Sequence, residues 1–115
     1  MITIGIPTAG RINKLSQCIE SIDINTRTDY KFIIIDNSIN GISNLERLSD
    51  SDVQLVKPPT PLSPSASREL IGNIAKTELI LYIDEDMTVS IGSVDYLFDF
   101  LVVLYVLSIL MTNGF

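Results

Sequence analysis

Asp84-Glu85-Asp86 puts three carboxylates in a row directly after the apolar run Leu79-Ile80-Leu81-Tyr82-Ile83. Carboxylates crowded together repel one another unless a cation or solvent intervenes. A hard divalent cation relieves that repulsion and can bridge to phosphate oxygens. Asp84 and Asp86, flanking Glu85, are the candidate metal ligands, and the plainer reading is an acidic, solvated turn. The preceding buried strand favours the ligand reading, because open α/β sheets bind ligands outside the carboxyl ends of their strands. Asp36 ends a second apolar run, Lys31-Phe32-Ile33-Ile34-Ile35, and is followed by Asn37 and Ser38. It can accept hydrogen bonds from a ribose or a base, or it can close its strand as an Asx-turn. A second acidic strand end on the same rim tips the balance toward binding. Arg11 and Arg68 each fall near the start of an expected helix, where a cation opposes the helix dipole and a phosphate would use it better. The alternative for each is a solvated surface arginine. Pro7-Thr8 either brings backbone and hydroxyl groups close to a nucleotide or simply ends a strand.

The elements that must position these residues read in a regular order. Ile2 to Ile6 is a short apolar run stopped by Pro7 and reads as a buried first strand. Leu15, Cys18, Ile19 and Ile22 fall at helical spacing, so Arg11 to Ile22 reads as a helix packed on a sheet, with Cys18 in the core. The run ending at Asp36 is continuously apolar, as expected of a parallel strand covered on both faces. A short helix over Ile42 to Leu48 and a weak strand over Val53 to Val56 follow. Four prolines between Lys57 and Pro64 make a stiff, extended loop. Ser65 is placed to cap the next helix, whose apolar stripe is Leu70, Ile71 and Ile74. The order predicts an α/β fold with a mostly parallel sheet, Rossmann-like and flanked by helices.

Composition narrows the chemistry. The chain has 115 residues, enough for one domain. Its formal charge is −6 with no Lys/Arg-rich run, so a general nucleic-acid surface is not expected. It has no histidine, which removes any imidazole base, His-dependent triad or His-containing zinc site. A metal would therefore be held by oxygen, as Mg²⁺ or Mn²⁺. One cysteine cannot form an internal disulfide, and the N-terminus lacks the basic region of a signal peptide. Both fit a cytoplasmic protein.

The C-terminal stretch stands apart. Residues 1–99 read as the ligand-binding domain and residues 100–115 as a hydrophobic tail. Phe100 to Met111 is apolar except for Ser108, and no residue from Phe100 to Phe115 is charged. Twelve helical residues span roughly 18 Å, short of a hydrocarbon core of roughly 30 Å. A segment packed on the sheet or on a partner is expected ahead of a spanning helix. The tail also predicts self-association or contact with a membrane surface.

Four segments together resemble a known family. Ile4-Gly5-Ile6-Pro7-Thr8-Ala9-Gly10-Arg11, Phe32-Ile33-Ile34-Ile35-Asp36-Asn37-Ser38, Ser65-Ala66-Ser67-Arg68-Glu69-Leu70-Ile71-Gly72-Asn73 and Leu79 to Asp86 occur in the order found in the N-terminal half of the family 2 glycosyltransferases, which have the GT-A fold. The resemblance implies a nucleotide-diphosphate sugar as donor, an inverting, metal-dependent transfer to an acceptor hydroxyl, and Mn²⁺ or Mg²⁺ as cofactor. It implies that Pro7 and Thr8 line the nucleotide pocket, that Asp36 meets the base and ribose, and that Arg68 meets the base or phosphates. Asp84 would lie beside ribose and metal, with Asp86 the main metal ligand. The family usually has an aromatic residue and an asparagine where this chain has Ala9 and Gly10. Its members continue well past the D-x-D motif into a half that carries the acceptor site and the general base, so the resemblance implies an incomplete enzyme. Asp95 and Asp99 are poor candidates for that base. Two other classes remain open from residues alone: a module that binds nucleotide and metal without catalysis, and a membrane-associated interaction protein. A nucleotidyltransferase fits less well, because Pro7-Thr8-Ala9-Gly10-Arg11 is a poor Gly-rich basic loop.

Overall fold

The computed structural model describes residues 1–42 and 44–112. The chain alternates strand and helix: β1 (Ile2–Thr8), α1 (Ile12–Asn25), β2 (Tyr30–Asp36), a 3₁₀ turn (Glu46–Ser49), β3 (Val53–Val56), α2 (Pro64–Ile74), β4 (Leu79–Tyr82) and α3 (Ser93–Thr112). The four strands form one sheet in the order β3-β2-β1-β4, and every pairing is parallel. The α/β, Rossmann-like expectation holds, with an all-parallel sheet.

Strand periodicity sorts the core into two layers. Ile2, Ile4, Ile6, Phe32 and Ile34 pack with Leu15, Cys18, Ile19 and Ile22 of α1. Ile33 and Ile35 point the other way and pack with Ile71, Leu70 and Ile74 of α2. Both faces of β2 are covered, which is why Phe32 to Ile35 reads as an unbroken apolar run. A Cβ on Gly5 would lie 2.7 Å from Ile71 Cγ2, so glycine there sets how closely α2 approaches β1.

Several local expectations shift. The helix expected from Arg11 to Ile22 runs Ile12–Asn25, with Arg11 as its N-cap residue. The cap of α2 is Ser63, whose Oγ accepts from the Ala66 amide, and Pro64 takes the first turn in place of the expected Ser65 cap. Proline is preorganised at that position because its missing N–H would have no helical partner there. Of the short helix expected over 42–48, only the 3₁₀ turn forms; Ser43 lies outside the described residues.

The tail differs most. It does not pack on the sheet. Helix α3 begins inside the domain, with Val94 buried and Phe98 against the core, and runs without a break across residue 99. Asp95 ties its first turn down by accepting from the Arg27 and Thr28 amides and the Thr28 hydroxyl. Beyond that, consecutive residues from Val102 to Leu107 are all exposed. Since successive helical residues are turned by about 100°, the exposure is on every side. Residues 113–115 of the expected tail lie outside the described residues.

Candidate functional site

The carboxyl ends of β1 and β4 and the start of α2 enclose a cleft of about 440 Å³, lined by Pro7, Thr8, Ala9, Arg11, Asn37, Leu62, Pro64, Arg68, Asp84, Glu85 and Asp86. Six expected site residues, Pro7, Thr8, Arg11, Arg68, Asp84 and Asp86, thus meet at one rim. They come from three separate stretches of sequence, brought together because β1 and β4 pair in parallel and end side by side. A larger open depression, about 670 Å³, lies by Ile24, Thr28 and Asp95 and holds none of these residues.

The three carboxylates have unlike surroundings. Glu85 is 3% exposed, whereas Asp84 and Asp86 face solvent. Glu85 accepts from the Thr8 hydroxyl, from the Ala9 amide at 3.3 Å and from Arg11 Nε at 2.7 Å. Its hydrogen bond and charge raise the Arg11 pKa above its ordinary value. Among the described residues, the Asp84 side chain meets only Arg68 Nη2, at 3.6 Å, with both side chains about half exposed. Among the described residues, no three acidic, cysteine or histidine side chains converge on one point. Asp84 and Asp86 are nevertheless two oxygen donors on one rim, a set that suits a hard cation taking its remaining ligands from phosphate and water.

Asp36 sits where the strand pattern places it, but it is buried and does not line the cleft. Its Oδ1 accepts from the Ser38 amide at 2.9 Å and from the Ser38 hydroxyl, the Asx-turn arrangement, and its Oδ2 lies 3.7 Å from Lys57 Nζ. Its neighbour Asn37 lines the cleft instead. Asn37 Nδ2 donates to Ser67 Oγ at 2.9 Å, and its Oδ1 accepts from the Leu62 amide at 3.0 Å, so it ties the proline-rich loop and α2 to the end of β2. Neither Asn37 nor the inward turn of Glu85 was among the residues singled out by sequence. The sequence signal for Asn37 is only that a turn former follows a strand; for Glu85 there is none, since its role depends on strand adjacency.

Gly10 is required by the geometry of this loop. Its φ is +96°, and a Cβ there would lie 2.6 Å from Ser38 Cβ. Only glycine adopts that conformation freely and permits so close a crossing. Cys18, under the acidic turn, is fully buried, and burial, reinforced by Glu85, Asp86 and Asp84, raises its pKa to about 11.

No protein-family model matches the chain, and no curated protein matches it in sequence. Solved structures do match in shape. The structure of S. aureus TarS residues 1–349 superposes with a TM-score of 0.75 at 14% identity, covering 86% of this chain and 31% of that one. The longer S. aureus TarS structure gives 0.72 at 14% identity, covering 86% of this chain and 19% of that one. TarS 1–349 in complex with UDP gives 0.65 at 15% identity, covering 74% and 27%. At such identities the likeness establishes the fold alone, an α/β, Rossmann-like fold shared with those structures. The chain spans less than a third of the length of the TarS structures it matches.

Proposed function

We propose that this chain is the nucleotide-sugar-binding half of a metal-dependent glycosyltransferase of the family 2, inverting type. The observation that carries the reading is the cleft itself. Two arginines, two solvent-facing aspartates and the Pro7-Thr8 loop meet at the carboxyl ends of parallel strands. The fold around them is that of a protein also solved with UDP.

In this reading the base and ribose lie along Pro7, Thr8 and the turn after β2, with Asp36 shaping that turn and Asn37 beside it. The diphosphate lies between Arg11 and Arg68, whose guanidinium groups offer planar, bidentate donors. The Arg68–Asp84 pair is loose enough to open, so that Arg68 turns to phosphate while Asp84 turns to cation and ribose. A bound Mn²⁺ or Mg²⁺, held by Asp86 and Asp84, would neutralise charge on the leaving diphosphate. Transfer joins an acceptor oxygen to the anomeric carbon as the bond to the diphosphate breaks. The Asp95 carboxylate is taken up by Thr28 and Arg27 and is not the base for that step.

Titration of the chain with UDP tests this directly. UDP is expected to bind more tightly with Mn²⁺ than with a chelator, and Asp86→Asn is expected to abolish the difference. Equal affinity under both conditions in the unmodified chain would remove metal from the mechanism. The second reading, binding without turnover, is separated by incubating the chain with nucleotide sugars and Mn²⁺: it predicts no nucleoside diphosphate release.

The cytoplasmic reading carries a membrane-surface contact with it. Ser93–Met111 is long and apolar enough to cross a membrane, with a mean hydropathy of 2.1 and only 6% of its window buried. A protein groove covers one side of a helix, whereas α3 from Val102 to Leu107 is apolar and exposed all round, which favours lipid over a flat partner. Flotation with liposomes, with and without residues 100–115, tests it; a lipid-free oligomer would point to self-association instead.

A further inference from the structure

We infer that Glu85 is a positioning residue: it aims Arg11 at the diphosphate of a bound nucleotide sugar. The inference rests on the nucleotide-binding reading above. It assigns the middle member of Asp84-Glu85-Asp86 a task different from that of its neighbours.

A carboxylate that is 3% exposed must be paired and hydrogen-bonded to be tolerated. Glu85 achieves this with both oxygens: Oε2 takes the Thr8 hydroxyl, and Oε1 takes the Ala9 amide and Arg11 Nε. Thr8 Oγ1 in turn accepts from the Gly10 amide at 3.1 Å. The whole first loop is therefore held from one buried charge. Arg11 is held through Nε alone. Its two Nη groups make no hydrogen bond among the described residues, and its side chain is 57% exposed along the cleft. A guanidinium docked by Nε keeps its plane fixed while its remaining N–H groups stay available to an anion, and a fixed donor loses less freedom on binding.

The purely structural alternative is that Glu85 only fastens the end of β1 to the end of β4. The backbone already does that. The Ile83 amide donates to the Gly5 carbonyl at 3.0 Å, which holds the end of β4 to β1, and the Asn37 amide donates to the Thr8 carbonyl at 2.8 Å, which holds the end of β1 to β2, so these ends keep backbone partners without the Glu85 side chain. What the side chain adds is the loop and the orientation of Arg11.

The experiment is calorimetric titration of the full chain with UDP and with uridine, both with Mn²⁺, for the unmodified protein, Glu85→Gln, Arg11→Ala and the double variant. Uridine lacks the phosphates, so a fault that runs through Arg11 leaves it untouched. Glu85→Gln is expected to weaken UDP roughly tenfold, the scale of one charge-assisted hydrogen bond, and to weaken uridine clearly less, the smaller loss reflecting Thr8 and Ala9, which share the same carboxylate. In the Arg11→Ala background, Glu85→Gln is expected to add little, because the two act as one unit. Glu85→Asp keeps the charge but withdraws it from Arg11; it folds like the parent and shows the same selective loss, which covers the case in which Glu85→Gln does not fold. Equal losses for UDP and uridine, or additive losses in the double variant, would make Glu85 structural. Unchanged UDP affinity in Glu85→Gln or Glu85→Asp would overturn the proposal alone. No UDP binding by the unmodified chain would overturn the nucleotide reading together with it.

Discussion

Two clusters of arginine and carboxylate sit at opposite sides of the same sheet, one by the amino-terminal ends of β2 and β3 and one at the carboxyl ends of β1 and β4. At the amino-terminal edge, Arg47 meets Asp23, Asp50 and Asp52 at 2.6–3.0 Å and lies over the Phe32 ring at 5.4 Å. At the carboxyl edge, Arg11 and Arg68 meet Glu85 at 2.7 Å and Asp84 at 3.6 Å, while Asp86 faces solvent. Each cluster has three carboxylates. In the first, one guanidinium is spent on all three, and its pKa is raised by its hydrogen bonds to Asp52 and Asp23. In the second, only the buried middle carboxylate is satisfied, and the outer two keep lone pairs turned outward. Composition alone would rate the clusters alike. What separates scaffold from site is the bonding capacity left over.

The comparison breaks most sharply on Asp86→Asn. In the proposed reading Asp86 is a metal ligand, and its loss should cost at least the roughly 10–100-fold that even indirect metal partners contribute, read as Mn²⁺-dependent UDP affinity. Thermal stability without ligand should not fall, because Asp86 is exposed and supports nothing. Arg47→Ala should do the reverse. It strands three carboxylates and is expected to lower unfolding free energy by roughly 1–2 kcal/mol in denaturant titration, with UDP affinity unchanged. A matching loss of UDP binding would erase the distinction between the clusters.

Asp36→Ala sharpens the boundary between them. Sequence reading places Asp36 in contact with the nucleotide, whereas its hydrogen bonds with Ser38 make it a turn former as well. A binding role predicts weaker UDP affinity with the fold intact. A large drop in melting temperature without ligand would assign it to the turn.

Acid should weaken the amino-terminal cluster. Hydrogen bonding from Arg47 holds the Asp52 pKa below its ordinary value. A carboxylate lowered by folding contributes stability above its unfolded pKa of about 3.9, and that stability is lost as pH falls through the folded value. Melting temperature should therefore decline below about pH 4, and Asp52→Asn should flatten part of that decline. The smallest effect is at Cys18. With a pKa of about 11 and no exposure, its thiol should not react with a disulfide reagent at neutral pH until the chain unfolds. Rapid reaction in the native state would mean that the acidic turn above it opens.

The local pattern of this chain determined its strands, its helical stripes and the parallel sheet. The continuous apolar run Phe32 to Ile35 has one stable arrangement, burial on both faces, and that burial is written in residue type. The same pattern put Asp36, Asp84 and Asp86 at strand ends. What it could not determine is which way each rim carboxylate turns. Glu85 has no role of its own in the sequence reading until β4 is laid beside β1, because that pairing brings Thr8, the Ala9 amide and Arg11 within its reach. Asp36 looks open to a ligand until Ser38 folds back on it and Lys57 arrives from the end of β3. The tail is the same lesson in apolar form. Its hydrophobicity is plain in sequence, but whether the sheet has room for it depends on faces already filled by α1 and α2. Side-chain partners distant in sequence are chosen by topology, and only the folded chain supplies it.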